Sequence, residues 1–137
     1  MRAIQIARLD GPQAAQVVEI DEPAAGDDAV VVDVHAAGVA YPDALQSRGL
    51  YQYKLEVPFC PGAEIAGVVR SAPEGAQVRP GDRVAGLTML CGAMAEVVAL
   101  PQERLFRLPD SVSFEAGAGI LFNDLTVHFG LRTRGRL

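Results

Sequence analysis

Cysteine and net positive charge are both scarce in this sequence. The only cysteines are Cys60 and Cys91. Two isolated cysteines supply neither a disulfide framework nor a zinc cluster, and they are typical of proteins in a reducing cytosol. The formal net charge is −5, an acidic balance that argues against a nucleic-acid partner.

Long apolar segments are also absent. The N-terminal residues mix charged and apolar side chains and lack the apolar core of a signal peptide. No stretch is long and apolar enough to cross a bilayer. We therefore expect a cytoplasmic protein with no membrane partner. The chain has 137 residues, half of them apolar, which suits one domain with a substantial core.

Short apolar segments bounded by glycine and proline run through most of the chain. Both residues tend to end strands, because proline lacks the backbone donor and glycine permits tight turns. Strands are predicted around residues 4–6, 15–20, 29–37, 63–71, 83–87 and 95–99, with turns at 10–12, 26–28 and 80–81. In the last turn we expect Gly81 to take the positive φ of a type II turn. Many short strands of this kind predict a mainly β fold that forms a closed or partly closed barrel.

Helical patterns are short and occur at two places. Residues 41–47 predict a helical turn. Ser113 can cap a second helix that begins at Phe114, where Glu115 is favourable in the first turn. Apolar residues then continue to Leu131, and residues 132–137 form a basic end.

The strand predicted over residues 63–71 begins with an apolar run that contains a single carboxylate. Gly67 in this run allows another backbone or a ligand to come close. An unpaired buried charge is costly, so Glu64 must find partners. Glu64 either lies close to a bound cofactor or braces the barrel, and we favour the second interpretation.

Two motifs follow one another at this point: Gly62-x-Glu64-x-x-Gly67-x-Val69, and then Pro80-Gly81-Asp82-Arg83-Val84. Their order and spacing resemble the catalytic domain of the medium-chain dehydrogenases and reductases, in particular its zinc-free quinone oxidoreductase (zeta-crystallin-like) branch. The resemblance implies a GroES-like, partly open β-barrel with short helices over residues 1–131. It implies that residues 132–137 begin the connection to a Rossmann domain absent from this sequence. That absent domain is the one expected to bind most of an NADPH cofactor.

No metal is expected. In the zinc alcohol dehydrogenases a cysteine and a histidine occupy the positions that are Ala40 and Ala63 here. Zinc needs several ligands that converge on one point, whereas Cys60 and Cys91 are typical of core residues. Gly117-Ala118-Gly119 is not the start of a dinucleotide loop, because the third glycine position is occupied by Phe122 and no strand precedes it.

Asn123-Asp124-Leu125-Thr126 resembles the Asn-x-Leu-Thr segment that lies near the nicotinamide in this family. Amide and hydroxyl groups suit that place, since both donate and accept hydrogen bonds. Asn123 and Thr126 are therefore expected to contact the cofactor. The alternative is local: Asn123 caps a further helix and Thr126 bonds back to the preceding turn.

Gly38-Val39-Ala40-Tyr41-Pro42-Asp43 matches the family motif Gly-Val-Asn-x-x-Asp, except that Ala40 replaces the asparagine that faces the nicotinamide. The resemblance places Tyr41 at the mouth of the cofactor site. Asp43 is expected to act structurally, by capping the short helix or by pairing with a basic residue.

Tyr51 matches an aromatic position that lines the substrate pocket of related quinone oxidoreductases. A tyrosine there can hydrogen-bond a substrate carbonyl or donate a proton after hydride transfer, so Tyr51 is the candidate catalytic residue. The alternative is a loop tyrosine whose ring is packed and whose hydroxyl is in water.

The resemblance implies an NADPH-dependent, metal-free reductase of quinones or other α,β-unsaturated carbonyls, of which this chain is the substrate-side domain. An enoyl-thioester or alkenal reductase of the same superfamily is one alternative, and a non-catalytic GroES-like binding module is another. The expected partners are a small-molecule quinone or enone and, in the full-length protein, a second copy in a homodimer. The 137-residue chain alone is expected to be inactive.

Overall fold

The computed structural model describes residues 1–24, 26 and 28–137. Of the turn predicted at residues 26–28, Asp27 lies outside the described residues. The strands are β1 (Arg2–Ile6), β2 (Ala15–Glu19), β3 (Ala29–Ala37), β4 (Glu64–Ser71), β5 (Arg83–Leu87), β6 (Val97–Pro101) and β7 (Leu105–Arg107). The α-helices are α1 (Tyr41–Gln46), α2 (Phe114–Gly119) and α3 (Leu125–His128). No helix within this described part of the chain has the length and apolar character needed to span a bilayer.

The strands form two antiparallel sheets. Five of them lie in the order β6-β3-β4-β5-β7, and β1 pairs with β2. Backbone hydrogen bonds join β1 to the larger sheet, from Ile4 N to Met94 O (2.8 Å) and from Glu96 N to Arg2 O (3.1 Å). The result is a curled half-barrel, which confirms the predicted mainly β fold and partly open barrel.

The barrel core lies on one face of the five-stranded sheet. Val30, Val32, Ile65 and Val84 are fully buried there. Alternating residues of a strand point to the same face, so the valines two positions apart in β3 enter this core together. Across β4 and β5, the helix α2 and its neighbours form a second apolar cluster that includes Ala66 and Ala118. Because β4 is covered on both faces, its sequence is an apolar run without alternation.

Gly67 allows β3 and β4 to approach closely. A Cβ at this position would clash with the main-chain oxygen of Asp33. The register between β3 and β4 also shifts between Val34 and Ala36, which indicates a local bulge. The expectation that another backbone comes close to Gly67 is confirmed.

The turn predicted at Gly81 and the cap predicted at Ser113 are confirmed. Gly81 has a φ of +91°, and Asp82 N donates to Arg79 O (3.0 Å) across the turn. Ser113 caps α2, because its Oγ accepts a hydrogen bond from Ala116 N (3.2 Å).

One predicted strand begins at a different residue in the structure, and one strand of the structure was not predicted. The strand predicted at residues 95–99 is β6, which runs from Val97 to Pro101, and Ala95 only bridges to Ala3. The preceding residues bond instead to the 61–62 loop, where Met94 N donates to Pro61 O (3.0 Å). The strand β7 was not predicted. It has only three residues, of which two are exposed, so it carries no alternating pattern to detect.

Replacing Gly67 by alanine should destabilise the protein by about 1–3 kcal/mol or more, because the new methyl group forces β3 and β4 apart. Urea denaturation measures this loss. The matched control is Gly119→Ala, at a position with open space around the glycine, where alanine should be neutral or slightly stabilising. Equal stability of the Gly67→Ala variant and the unsubstituted protein would contradict the packing described here.

Candidate functional site

Glu64 begins β4 and is only 2% exposed. Its Oε2 accepts two backbone hydrogen bonds, from Leu121 N (3.0 Å) and Phe122 N (2.9 Å). Its Oε1 is buried and has no hydrogen-bond partner among the described residues. The expectation that this carboxyl group finds partners is confirmed for one of its two oxygens. The partners belong to residues 114–134, which we call the C-terminal helical segment.

The helical segment changes its hydrogen-bond pattern where Glu64 contacts it. In an uninterrupted α-helix, Leu121 N and Phe122 N would donate to the carbonyls of Gly117 and Ala118, four residues earlier. Here both groups donate to the glutamate, α2 ends at Gly119, and residues 120–124 form a wide π-helical turn. A side chain that inserts into the backbone ladder is a known cause of such a distortion, and π-turns are frequent at functional sites.

Gly38 packs directly on the Glu64 side chain. Gly38 N donates to Glu64 O (3.0 Å). A Cβ on Gly38 would lie 2.8 Å from Glu64 Oε1 and would clash with the carbonyl oxygen of Ala118. A glycine is therefore required where the chain leaves β3 and passes over the carboxyl group.

A cavity of about 310 Å³ lies beside this contact. Gly38 and Val39 line it from the end of β3, and Glu64 and Asn123 line it from β4 and the wide helical turn. The other lining residues are Ala36, Ala37, Glu115, Ala118 and Gly119. Because Asn123 is exposed, its amide is available to a bound molecule as both donor and acceptor.

The other candidate residues of the helical segment are used locally. The Thr126 hydroxyl group donates to Phe122 O, one turn earlier, which is the local alternative considered for this residue. Its oxygen can still accept a hydrogen bond. The residue at the N-cap of α3 is Asp124 rather than Asn123, and its side chain makes no capping hydrogen bond.

The two tyrosines lie outside the group of residues that line the Asn123 cavity. Tyr41 is the first residue of α1 and is 75% exposed. Tyr51 is half-buried, and its ring packs against that of Tyr53 with 6.0 Å between the centroids. Within the described residues, the structure therefore brings Asn123 together with the Gly38–Val39 corner but does not bring either tyrosine into that cavity.

Asp43 has the structural role expected of it. Its Oδ2 accepts from Ala40 N (2.7 Å) at the start of α1, and its Oδ1 accepts from Gly62 N (3.0 Å). The carboxyl group thus caps the helix and joins it to the loop that precedes β4. The Gly38–Tyr41 segment is held in position by this link.

Cys60 and Cys91 line a shared cavity of about 340 Å³. Burial raises the pKa of the Cys60 thiol to about 11 and also raises the pKa of Cys91. Among the residues that the structure describes, no group of three or more histidine, cysteine or acidic side chains is placed to hold a metal ion.

Burial likewise raises the pKa of Glu64, and the nearby Asp124 and Asp43 carboxylates add to this effect, while the Phe122 and Leu121 N–H groups oppose it. Desolvation penalises the charged form of a carboxyl group, whereas N–H donors favour it. The folded protein therefore holds a proton on Glu64 more tightly than the unfolded chain does.

The long-range contact of Glu64 was not predicted from the sequence. Its partners are main-chain N–H groups 57 and 58 positions away, and every residue except proline carries such a group. The available signal was the buried carboxylate itself, which required partners but did not identify them.

The fold and this site define a class of protein: a GroES-like half-barrel in which a glycine corner and a helical segment enclose a small cavity. Residues 26–110 match the alcohol dehydrogenase GroES-like domain. The chain belongs to this family, and the proteins to which it is similar include quinone oxidoreductases and quinone oxidoreductase-like proteins.

Individual relatives agree with this assignment. Over 113 residues the chain is 39% identical to quinone oxidoreductase-like protein 2 homolog from Nematostella vectensis, a match that covers 82% of the chain and 31% of that protein. A probable oxidoreductase from Mycobacterium abscessus superposes with a TM-score of 0.95 at 43% identity, over 100% of this chain and 44% of the other. The quinone oxidoreductase of Thermus thermophilus, also solved in complex with NADPH, gives a TM-score of 0.83 at 35% identity. The match covers 98% of this chain and 41% of the other. The chain thus spans less than half the length of these relatives.

The pKa shift of Glu64 predicts how stability depends on pH. Relative to a Glu64→Gln variant, the protein should lose free energy of unfolding as the pH rises from about 4.5, because the folded state binds the Glu64 proton more tightly than the unfolded state does. Urea denaturation of both proteins between pH 4 and pH 8, at steps of about half a unit, measures the difference.

The control for this experiment is Glu115→Gln. Hydrogen bonds at the start of α2, to its own backbone and to Ser113, lower the pKa of Glu115, so its pH dependence should have the opposite sign. A difference between the Glu64→Gln variant and the unsubstituted protein that is constant with pH, or that changes in the other direction, would refute the assigned shift.

The raised thiol pKa predicts low reactivity. Because the pKa of Cys60 moves from 9.0 to about 11, its thiolate fraction near pH 7.5 should fall about 100-fold, and the thiolate is the form that reacts. Alkylation by iodoacetamide, followed by peptide mass spectrometry, should label Cys60 slowly in the folded protein and rapidly in urea. Equal labelling rates in the two states would contradict this environment.

Proposed function

We propose that this chain is the substrate-side domain of an NADPH-dependent oxidoreductase that reduces quinones or other α,β-unsaturated carbonyls without a metal ion. The observation that carries the proposal is the cavity shared by Asn123 and the Gly38–Val39 corner, in a chain that matches solved quinone oxidoreductases over nearly its whole length. A cleft that excludes water and orients a hydride donor next to an electron-poor acceptor accelerates hydride transfer mainly by positioning these two reactants.

NADPH is the proposed cofactor, held mainly by a Rossmann domain that is not part of this sequence. Support comes from the Thermus thermophilus relative, which was solved with NADPH. When bound, the nicotinamide supplies the hydride. On this domain, the exposed Asn123 amide offers a donor and an acceptor to the carboxamide or ribose, Thr126 Oγ1 offers an acceptor, and Tyr41 forms part of the mouth.

Tyr51 is the proposed acid or carbonyl-polarising group. A phenol can hydrogen-bond a quinone oxygen and supply a proton once the hydride has arrived. The Tyr51 ring is half-buried and packs against Tyr53, so the loop holds it in place.

The metal-free assignment rests on the residues at the ligand positions. Ala40 and Ala63 offer no side-chain ligand atoms, and Cys60 and Cys91 are two isolated thiols. A zinc site needs several ligands that converge on one point, which two thiols do not supply.

Residues 1–131 are proposed as the GroES-like domain and residues 132–137 as the start of the connection to the Rossmann domain. Four apolar side chains on the C-terminal helical segment are about half exposed, which is consistent with a surface covered by further chain: Leu125, Val127, Phe129 and Leu131. A cytoplasmic location and a homodimer of the full-length protein belong to the same proposal.

An enoyl-thioester or alkenal reductase is the enzymatic alternative, because the same positioning and hydride chemistry serve those substrates. A non-catalytic GroES-like binding module is the alternative outside enzymes. Initial rates of the full-length protein on a quinone, an alkenal and an enoyl thioester, each with NADPH, distinguish the three. Turnover of none of them would favour the binding module.

The 137-residue chain should show no quinone reductase activity and little affinity for NADPH, because it supplies one wall of the cleft. NADPH consumption with a quinone, measured in parallel for this chain and the full-length protein, checks the expectation. Turnover by the short chain would contradict the proposal that a second domain is needed to bind NADPH and complete the cleft.

Replacing Asn123 by alanine or Thr126 by valine in the full-length protein should raise the KM for NADPH while thermal stability stays within a few degrees. The effect of Asn123→Ala should be larger, since the Thr126 hydroxyl already donates to Phe122 O. Gln16→Ala, which removes an exposed amide from β2, is the control. Unchanged kinetics in both site variants would assign the two residues a structural role only.

A further inference from the structure

Glu64 joins the start of β4 to the C-terminal helical segment. We propose that Glu64 is a positioning residue for the hydride-transfer site: its carboxyl group, inserted into the helix after Gly119, sets the wide turn that presents Asn123 to the cavity. This inference rests on the proposed role of Asn123 in holding the cofactor.

Glu64 Oε2 accepts hydrogen bonds from the N–H groups of Leu121 and Phe122, the two residues immediately before Asn123. Without that acceptor, both groups would return to the carbonyls four residues earlier, as in a continuous α-helix. A continuous helix would rotate every later side chain about the helix axis, because a π-turn contains one more residue than an α-turn. The direction in which Asn123 points therefore depends on the glutamate.

Packing alone does not account for a carboxyl group at this position. Glu64 is 2% exposed, and its Oε1 has no hydrogen-bond partner among the described residues. Burying a polar atom without a partner destabilises a protein, and an apolar side chain of similar volume is often as stable or more so. Local violations of this kind are expected at functional sites.

Glu64 also connects both walls of the cavity. Gly38 donates to Glu64 O and lies against Glu64 Oε1 so closely that no side chain fits. The carboxyl group thus relates the Gly38–Val39 corner to the turn that carries Asn123. Oε2 accepts the two N–H groups whether the carboxyl is charged or neutral, since a proton on Glu64 can reside on the unpartnered Oε1.

The test is a double-mutant cycle in the full-length protein, with kcat and KM for NADPH measured for each variant. Glu64→Leu removes the acceptor and should lower kcat/KM about 10- to 100-fold, the range expected when a positioning contact is displaced by about 1 Å. Glu64→Gln retains an acceptor oxygen and should stay within about threefold of the unsubstituted enzyme. In the Glu64→Leu background, Asn123→Ala should have less than about a twofold further effect, because Asn123 is already misplaced.

Gln46→Leu is the matched control for loss of a buried polar side chain. Gln46 is 4% exposed and donates to Leu90 O (2.9 Å), far along the chain from the wide turn. Its effect should add to that of Asn123→Ala. Amide hydrogen exchange in the same proteins provides a readout besides activity: protection of the Leu121 and Phe122 amides should change in Glu64→Leu and persist in Glu64→Gln.

Two outcomes overturn the inference. The first is an active enzyme in which the Glu64→Leu and Asn123→Ala effects are additive, as in the Gln46 control. The second is a Glu64→Leu variant with unchanged kinetics and unchanged exchange at Leu121 and Phe122. Absence of NADPH-dependent turnover in the unsubstituted protein is a different result, because it removes the proposed function and this inference with it.

Discussion

The contact between one buried carboxyl group and two main-chain N–H groups links the barrel to the C-terminal helical segment. Glu64 stands at the start of a strand that is covered on both faces, and its Oε2 accepts from Leu121 N and Phe122 N. In this low-dielectric setting a hydrogen bond is strong and its absence is costly. The end of α2, the wide turn after it and the close approach of Gly38 all lie around this group.

The cavity beside Glu64 is built from segments that are distant in sequence. Its walls come from the end of β3, the start of β4 and the helical turn that carries Asn123. Asp43 supports the same corner from the other side by bonding to Ala40 N and Gly62 N. The Glu64 and Asp43 carboxyl groups thus hold the loops at one end of the half-barrel by accepting hydrogen bonds from backbone N–H groups. The exposed Asn123 amide beside them is available to a ligand. The positioning of a reactive group by rigid neighbours is what a hydride-transfer cleft needs from its protein.

Prediction from sequence succeeded where a local pattern carried the information. The Pro80-Gly81 pair, the Ser113 cap and the apolar run around Gly67 each gave the structure that was expected. Prediction failed for β7 and displaced the start of β6 by two residues, because pairing partners rather than propensity set those limits. The family motifs carried the assignment to the GroES-like domain family and the similarity to quinone oxidoreductases, while the roles proposed for Tyr41, Tyr51, Asn123 and Thr126 rest on the family resemblance and not on a local pattern.

The sequence by itself determined the positions of β1 to β6 to within a few residues, the positive φ of Gly81, the close approach at Gly67, and the need of Glu64 for partners. These properties depend on short-range sterics and on the cost of burying charge, both of which can be read from neighbouring residues. Only the tertiary structure decided which donors Glu64 meets, that the helix widens at Ile120, and that Asn123 shares a cavity with Gly38 and Val39. Those outcomes join positions more than fifty residues apart through backbone groups that nearly all residues share, so no local pattern encodes them.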